Sequence, residues 1–264
     1  MAENPVLLTV DDARGVATVT FNRPEVNNAY NGAVIDGLLQ SLDTLERQPD
    51  LRAVVLRGNG RHFQAGADLV WIREIRGQDA AANERASMAT AEAVRRLNEA
   101  PCPTVALIRG ACIGGGTGIA AACDVVVAAE DAFFAISETR WGLMAGIILP
   151  QLCQAMGLRQ VRRYALTGER FGADEARRLG LVHEVCATGG LDTAGGKIIE
   201  AVLMNAPVAT TATKLRSLAA ARAFVDDGEL RDLIDEHACT RQQEEAREGL
   251  ASFKEKRKPA WYPG

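Results

Sequence analysis

Residues 103–146 read PTVALIRGACIGGGTGIAAACDVVVAAEDAFFAISETRWGLMAG, and the fold turns on how this stretch is read. An apolar run at Thr104–Ile108 leads into the glycine cluster Gly114–Gly116. A segment of small residues follows, and then a second apolar run at Val125–Ala128. Glu138 comes next, in largely uncharged surroundings. This order predicts a strand, a tight turn, a short helix and a strand, with a carboxylate then returned towards the turn. Glycines let backbone N–H groups approach a ligand closely, and the start of a helix adds positive partial charge. Such a turn suits a developing oxyanion at least as well as a phosphate.

Upstream, residues 6–10 and 16–21 alternate around the turn chemistry of DDARG, which predicts an opening β-hairpin. After NRPEVNNA a helical pattern runs over 33–47, with Val34, Leu38, Leu42 and Leu45 on one face. Residues 51–57 predict a buried strand, 61–72 a polar, glycine-containing loop before a helix, and 77–99 an amphipathic helix. Downstream, 149–156 read as an apolar helix, and 162–185 hold two short helices ending in a strand. Composition shifts over ATGGLDTAGG at 187–196, and beyond it only helices are predicted, over 196–205, 207–222 and 228–248. Two parts are therefore expected: a mixed α/β core over 1–195 and a helical region over 196–264.

The chain has 264 residues, 47% hydrophobic and 24% charged, as in ordinary globular proteins. A net charge of −4 offers no general attraction for nucleic acid or an anionic membrane. No apolar run approaches the ~18 residues of a membrane span. The six cysteines show neither a C-x-x-C pair nor metal-ligand spacing, so free thiols in a reducing compartment are expected. No secretory or transit signal is visible, and the expected location is the cytoplasm. The three histidines (62, 183 and 237) form no H-x-x-x-H pattern, so no metal is expected. No G-x-S-x-G elbow accompanies them. His62, just before the loop at 63–69, remains a candidate for approaching a substrate.

Taken alone, Gly114–Gly116 is a weak signal, because it fits no phosphate-loop pattern. Read together with FQAGADL at 63–69 and FAISETRWGL at 134–143, it resembles the crotonase (enoyl-CoA hydratase/isomerase) superfamily. Asn22–Pro24 with Asn28–Ala29, Leu166–Phe171 with Ala176 and Gly180–Val182, and Phe253–Pro259 with Trp261 extend the resemblance over essentially the whole chain. It implies an α/β fold, a crotonase-type spiral of ββα units with a C-terminal helical oligomerisation region. It also implies assembly as a homotrimer or hexamer (a dimer of trimers).

By the same resemblance, the N–H groups of Ala65 and Gly115 form an oxyanion hole for a thioester carbonyl, and Glu138 moves a proton at carbon. Ala65, Gly66, Ala67, Asp68 and Leu69 cradle coenzyme A, and Phe253 and Lys254 contact its nucleotide. Coenzyme A belongs to the substrate, so no separate cofactor is expected. One departure matters: the family's first catalytic glutamate falls on Gly118, 20 residues before Glu138. Glycine there is expected to clear space beside the reacting carbons.

The segment from Gly114 to Val185 looks closest to bacterial methylglutaconyl-CoA and isohexenylglutaconyl-CoA hydratases, which act in leucine and acyclic-terpene breakdown. The expected reaction is therefore hydration of a branched enoyl-CoA carrying a second carboxylate. Arg140 is the first candidate to meet that carboxylate, with Arg73 and Arg76 behind it. Trp71 and Trp141 are candidate linings of the acyl pocket. A Δ3,Δ2-enoyl-CoA isomerase using Glu138 alone is the first alternative. A non-catalytic module binding coenzyme A or RNA is the second, and the acidic balance argues against it.

Overall fold

The computed structural model describes residues 4–221 and 224–262. Strands β1 (Val6–Asp11) and β2 (Val16–Phe21) form the expected hairpin, and α1 (Gly32–Glu46) and β3 (Ala53–Gly58) follow. Helices α2 (Leu69–Arg76) and α3 (Ala80–Asn98) precede the central stretch. That stretch forms β4 (Thr104–Ile108), β5 (Ala111–Ile113), α4 (Gly115–Ala122), β6 (Val125–Ala129) and β7 (Phe133–Ala135). Then come α5 (Leu149–Met156), α6 (Leu158–Thr167), β8 (Phe171–Gly172), α7 (Ala173–Leu179) and β9 (Glu184–Cys186). The chain continues through α8 (Leu191–Leu203), α9 (Pro207–Ala220), α10 (Asp227–Gln242) and α11 (Glu244–Lys254).

Two sheets result. The larger has the order β1-β2-β3-β4-β6-β9, antiparallel at the hairpin and parallel from β2 onwards. The smaller has the order β5-β7-β8. The units β4–β5–α4 and β6–β7–α5 each give their first strand to the larger sheet and their second to the smaller. This is the ββα spiral, and it brings the glycine turn after β5 beside the end of β7.

Both faces of the large sheet are covered, so its inner strands are continuous apolar runs rather than alternating ones. Ala106, Ile108 and Val126 face the main core beneath α1, α3 and α4. Val105, Leu107 and Val127 face the opposite way, against Leu191, Ala194 and Ile199 of α8. Gly195 lets α8 approach closely, because a Cβ there would stand 2.7 Å from Leu107 Cδ2. Gly195 and Gly196, at the end of the stretch where composition shifts, are thus part of a packed helix. The division drawn at 195 falls inside α8, and that helix starts five residues earlier than expected.

The helix expected over 228–248 is two helices, divided where Gln243 is extended (φ −72°, ψ 161°). The last residue of the helix expected over 207–222 lies outside the described residues. Helix α10 packs on α3, and α11 packs on the turn that carries Glu138. The thiols of Cys102, Cys112 and Cys123 are buried, those of Cys153 and Cys186 half-buried, and only that of Cys239 is exposed. Among the described residues no helix is long and apolar enough to cross a membrane.

Candidate active site

Glu138 opens a 3-10 turn, Glu138–Trp141, just after β7. Helix α11 grips this turn through two glycines: a Cβ at Gly142 would overlap the Glu245 backbone, and one at Gly249 would overlap the Trp141 backbone. The turn is thereby held between β7 and α11. The Glu138 carboxylate is directed at the glycine turn, where a Cβ on Gly114 would stand 2.9 Å from Oε1. Gly114 is left-handed (φ 54°), a conformation glycine adopts freely. It is pinned by its N–H to Ala135 O (2.8 Å) and by Thr117, whose hydroxyl donates to Gly114 O at 2.7 Å.

Burial pushes the Glu138 carboxyl up to about 7, partly opposed by hydrogen bonds from its own backbone N–H and that of Ser137. Its Oε2 is out of contact with solvent and has no hydrogen-bond partner. A carboxyl of this kind exchanges a proton readily near neutrality.

Gly115 stands at the first position of α4, where a backbone N–H has no intrahelical acceptor. Ala65 is placed differently from expectation: its N–H donates to the Asn27 carbonyl at 3.1 Å. The neighbouring Gly66 N–H donates to the buried Gln64 side chain at 3.0 Å, and Gly66 O accepts from Tyr30 N–H at 2.9 Å. The loop is thus laced to residues 27–30. Asn28, 1% exposed, clamps that segment by donating to Asn59 O and His62 O (2.9 and 2.8 Å) and accepting from Arg23 N–H.

Ala65, Gly66, Ala67, Leu69, Gly115, Glu138 and Phe253 line one cavity of about 410 Å³. Asp68 does not: its carboxylate caps α2 at Val70 N–H and pairs with Arg23 at 3.1 Å. Lys254 also lies outside the lining. Arg140 is exposed, extends across Gly168 and reaches the cavity beside Trp141, whose ring meets Phe253 edge-on at 4.6 Å. Arg73, Arg76 and Trp71 are not part of the lining.

Gly118 corrects an expectation. It leaves no free space, because a Cβ there would overlap the Ile148 side chain, which fills the position. His62 is structural: its Nδ1 accepts from Ala111 N–H at 2.9 Å, and burial and Arg61 lower its pKa. His183 accepts from Val126 N–H in the same way, at 3.0 Å. Among the described residues no cluster of His, Cys, Asp and Glu could hold a metal ion.

Four cavity-facing or supporting residues escaped the sequence reading. Tyr30 lies against Gly115, its Cε1 2.6 Å from where a Cβ there would stand. Burial and Glu138 push its phenol up to about 12, with Arg241 opposing. Its position just after Asn28–Ala29 was the available signal. His237 and Arg241 line the cavity from α10, and Ser87 on α3 bonds both. No sequence signal marked these three.

The sequence matches the family described as Enoyl-CoA hydratase/isomerase over residues 11–263. A Thermus thermophilus protein named as an enoyl-CoA hydratase is 36% identical over 244 residues, spanning 92% of this chain and 96% of the relative. The peroxisomal Delta(3,5)-Delta(2,4)-dienoyl-CoA isomerase of Arabidopsis thaliana is 33% identical over 221 residues, 79% of each chain. A solved enoyl-CoA hydratase from Mycobacterium avium subsp. paratuberculosis superposes with a TM-score of 0.85 at 30% identity, covering 97% of this chain and 98% of that one.

Proposed function

The chain belongs to the enoyl-CoA hydratase/isomerase family, and from that premise we propose that it hydrates a branched enoyl-CoA carrying a second carboxylate, of the 3-methylglutaconyl or isohexenylglutaconyl type. The observation that carries the reading is the Glu138 carboxyl, raised to about 7, with an unpartnered oxygen, opposite the Gly114–Gly115 turn.

In this reading the thioester oxygen accepts the Gly115 N–H, and negative charge moves onto it as water adds at Cβ. Glu138 delivers its proton to Cα, and the proton released by the water restores the acid. A second carboxylate is not available at position 118, where Ile148 occupies the space. Water is therefore oriented by Glu138 and by the substrate's own polar end. Ala65–Leu69 and Phe253 hold the coenzyme A portion, and exposed apolar residues such as Met204 and Val208 favour assembly as a homotrimer or hexamer.

The closed position at 118 also favours a second reading, a Δ3,Δ2-enoyl-CoA isomerase, because a 1,3-proton shift needs one carboxylate. Absorbance of the conjugated enoyl thioester separates the two: hydration removes it and isomerisation creates it. The test is turnover of 3-methylglutaconyl-CoA and a longer isoprenoid glutaconyl-CoA by the wild type and Glu138→Ala. Hydration abolished by the substitution supports the proposal. No hydration of either, with formation of conjugated thioester from a 3-enoyl-CoA, replaces it with the isomerase.

A further inference from the structure

Arg241 is 2% exposed, yet no carboxylate among the described residues pairs with it. Its NH2 group donates to Asn83 O at 3.2 Å and to Ser87 Oγ, tying α10 to α3. Its Nε is buried without a partner, and the residue lines the cavity that holds Glu138. No ion pair joins it to Glu138, the carboxylate of the same cavity, whose pKa is raised by burial against two backbone N–H groups. Burial lowers the guanidinium's own pKa, but a guanidinium stays charged at any physiological pH. A buried cation with no counter-charge is costly for a fold to keep, and an anionic ligand removes that cost.

The neighbours have the same polarity. Arginine only donates, so Ser87 Oγ accepts from it; Ser87 Oγ lies 2.9 Å from His237 Nδ1. The hydroxyl proton is therefore assigned to that contact, which leaves the proton of a neutral imidazole on Nε2. Burial and Arg241 hold this imidazole far down, at about 3, so it stays neutral. Arg241 and His237 thus give the α10 wall of the cavity hydrogen-bond donors, while α1 and α3 supply apolar lining through Leu38 and Val94.

We infer that Arg241, assisted by His237, is the receptor for a carboxylate at the distal end of the acyl chain, and that it sets the specificity of the site. Arg140, exposed where the cavity meets Trp141, is not that receptor. The inference deepens the proposed function and rests on its second-carboxylate reading, but binding can test it separately from turnover. The probes are glutaryl-CoA and pentanoyl-CoA, saturated thioesters of equal acyl length that differ in the terminal carboxylate, titrated calorimetrically into the full-length protein.

Wild type is expected to bind glutaryl-CoA at least about 30-fold more tightly than pentanoyl-CoA, the scale of a buried charge pair. Arg241→Met should weaken glutaryl-CoA binding and bring the two within about threefold of each other. Arg241→Lys keeps the charge and should retain a reduced preference, which guards against simple misfolding of the methionine variant. Equal binding of both thioesters by wild type overturns the inference, as does a preference that survives Arg241→Met. If the methionine variant binds neither, absence of any preference in Arg241→Lys overturns it. Preference for glutaryl-CoA without hydration of any glutaconyl thioester keeps the receptor and removes the hydratase reading.

Discussion

The Asn27 carbonyl accepts the Ala65 N–H at 3.1 Å, so one of the two expected oxyanion donors is already committed within the protein. Asn27 is held there by a left-handed turn, Asn27 and Asn28 having φ of 57° and 56°. Under the proposed function, a thioester oxygen would meet the Gly115 N–H first and reach Ala65 only by sharing or displacing this bond. On titration with an acyl-CoA, the Ala65 backbone amide is expected to shift strongly in a 1H–15N spectrum, with a smaller response at Ala67. A stationary Ala65 signal would show that Gly115 works alone, leaving one donor where removal of one typically costs ~100–1000-fold in rate.

The Glu138 carboxyl, pushed up to about 7 by burial, is used in opposite states by the two readings. A hydratase needs the protonated form to deliver a proton to Cα, so kcat/KM should fall as pH rises through about 7. An isomerase begins by removing a proton from carbon, so its rate should rise through the same pH. A profile of kcat/KM from pH 5.5 to 8.5 decides, and a flat one removes Glu138 from the chemistry.

The same shift bears on stability. The carboxyl rises from 4.5 to about 7 on folding, so between those values the folded chain holds a proton that the unfolded chain has lost. Stability therefore falls as pH rises through this window and levels off above it. Glu138→Gln escapes the loss, and should melt higher than wild type at pH 8 and equally at pH 4.5. At full desolvation the difference reaches about 3 kcal/mol. Its activity should drop by ~100–10,000-fold.

Gly118 and Ile148 form a packed pair. Gly118→Ala is expected to destabilise by ~1–3 kcal/mol through overpacking, and Ile148→Ala made with it should relieve much of that cost. Urea midpoints of the two single variants and the double give the coupling. Additive losses would mean that the two side chains do not compete for one space. Gly118→Glu alone should not create a working second carboxylate.

Lys214 of α9 is nearly buried; its Nζ lies 2.7 Å from Asp124 Oδ2 and also donates to Cys102 O at 3.2 Å. Asp124 in turn accepts both the backbone N–H and the hydroxyl of Thr104 (2.8 and 2.9 Å). Lys214→Met leaves Asp124 without its cation and should cost ~1–3 kcal/mol, less than for a fully buried pair because Asp124 is partly solvated. Asp124→Asn added to it should recover part of the loss, as read from thermal melts. A loss below 0.5 kcal/mol, an order-of-magnitude bound for surface sites, would make this a surface-type ion pair.

The parts of the molecule legible in the sequence are those written in contiguous residues. The hairpin, the strand–turn–helix at 104–122 and the placement of Glu138 all follow from local runs. Strands β5, β7 and β8 span three, three and two residues, too short for any periodicity to register. The partner of Gly118 was illegible because Ile148 approaches across 30 residues of chain. Arg241 was hidden for another reason: α10 carries charges on most of its surface, and a single inward arginine looks like its solvated neighbours. Asp68, within the expected binding motif, has a side chain that caps α2 and pairs with Arg23, a local role that the motif did not reveal.

Burial holds the thiols of Cys102, Cys112, Cys123, Cys153 and Cys186 above their usual pKa, whereas Cys239 stands exposed on α10. Thiol reagents attack the thiolate, so the wild-type chain presents one fully exposed target, two residues before Arg241. A fluorophore or spin label attached at Cys239 would sit on the solvent side of the helix that carries Arg241 and His237. It would report, without any engineered substitution, how that helix responds as an acyl-CoA enters.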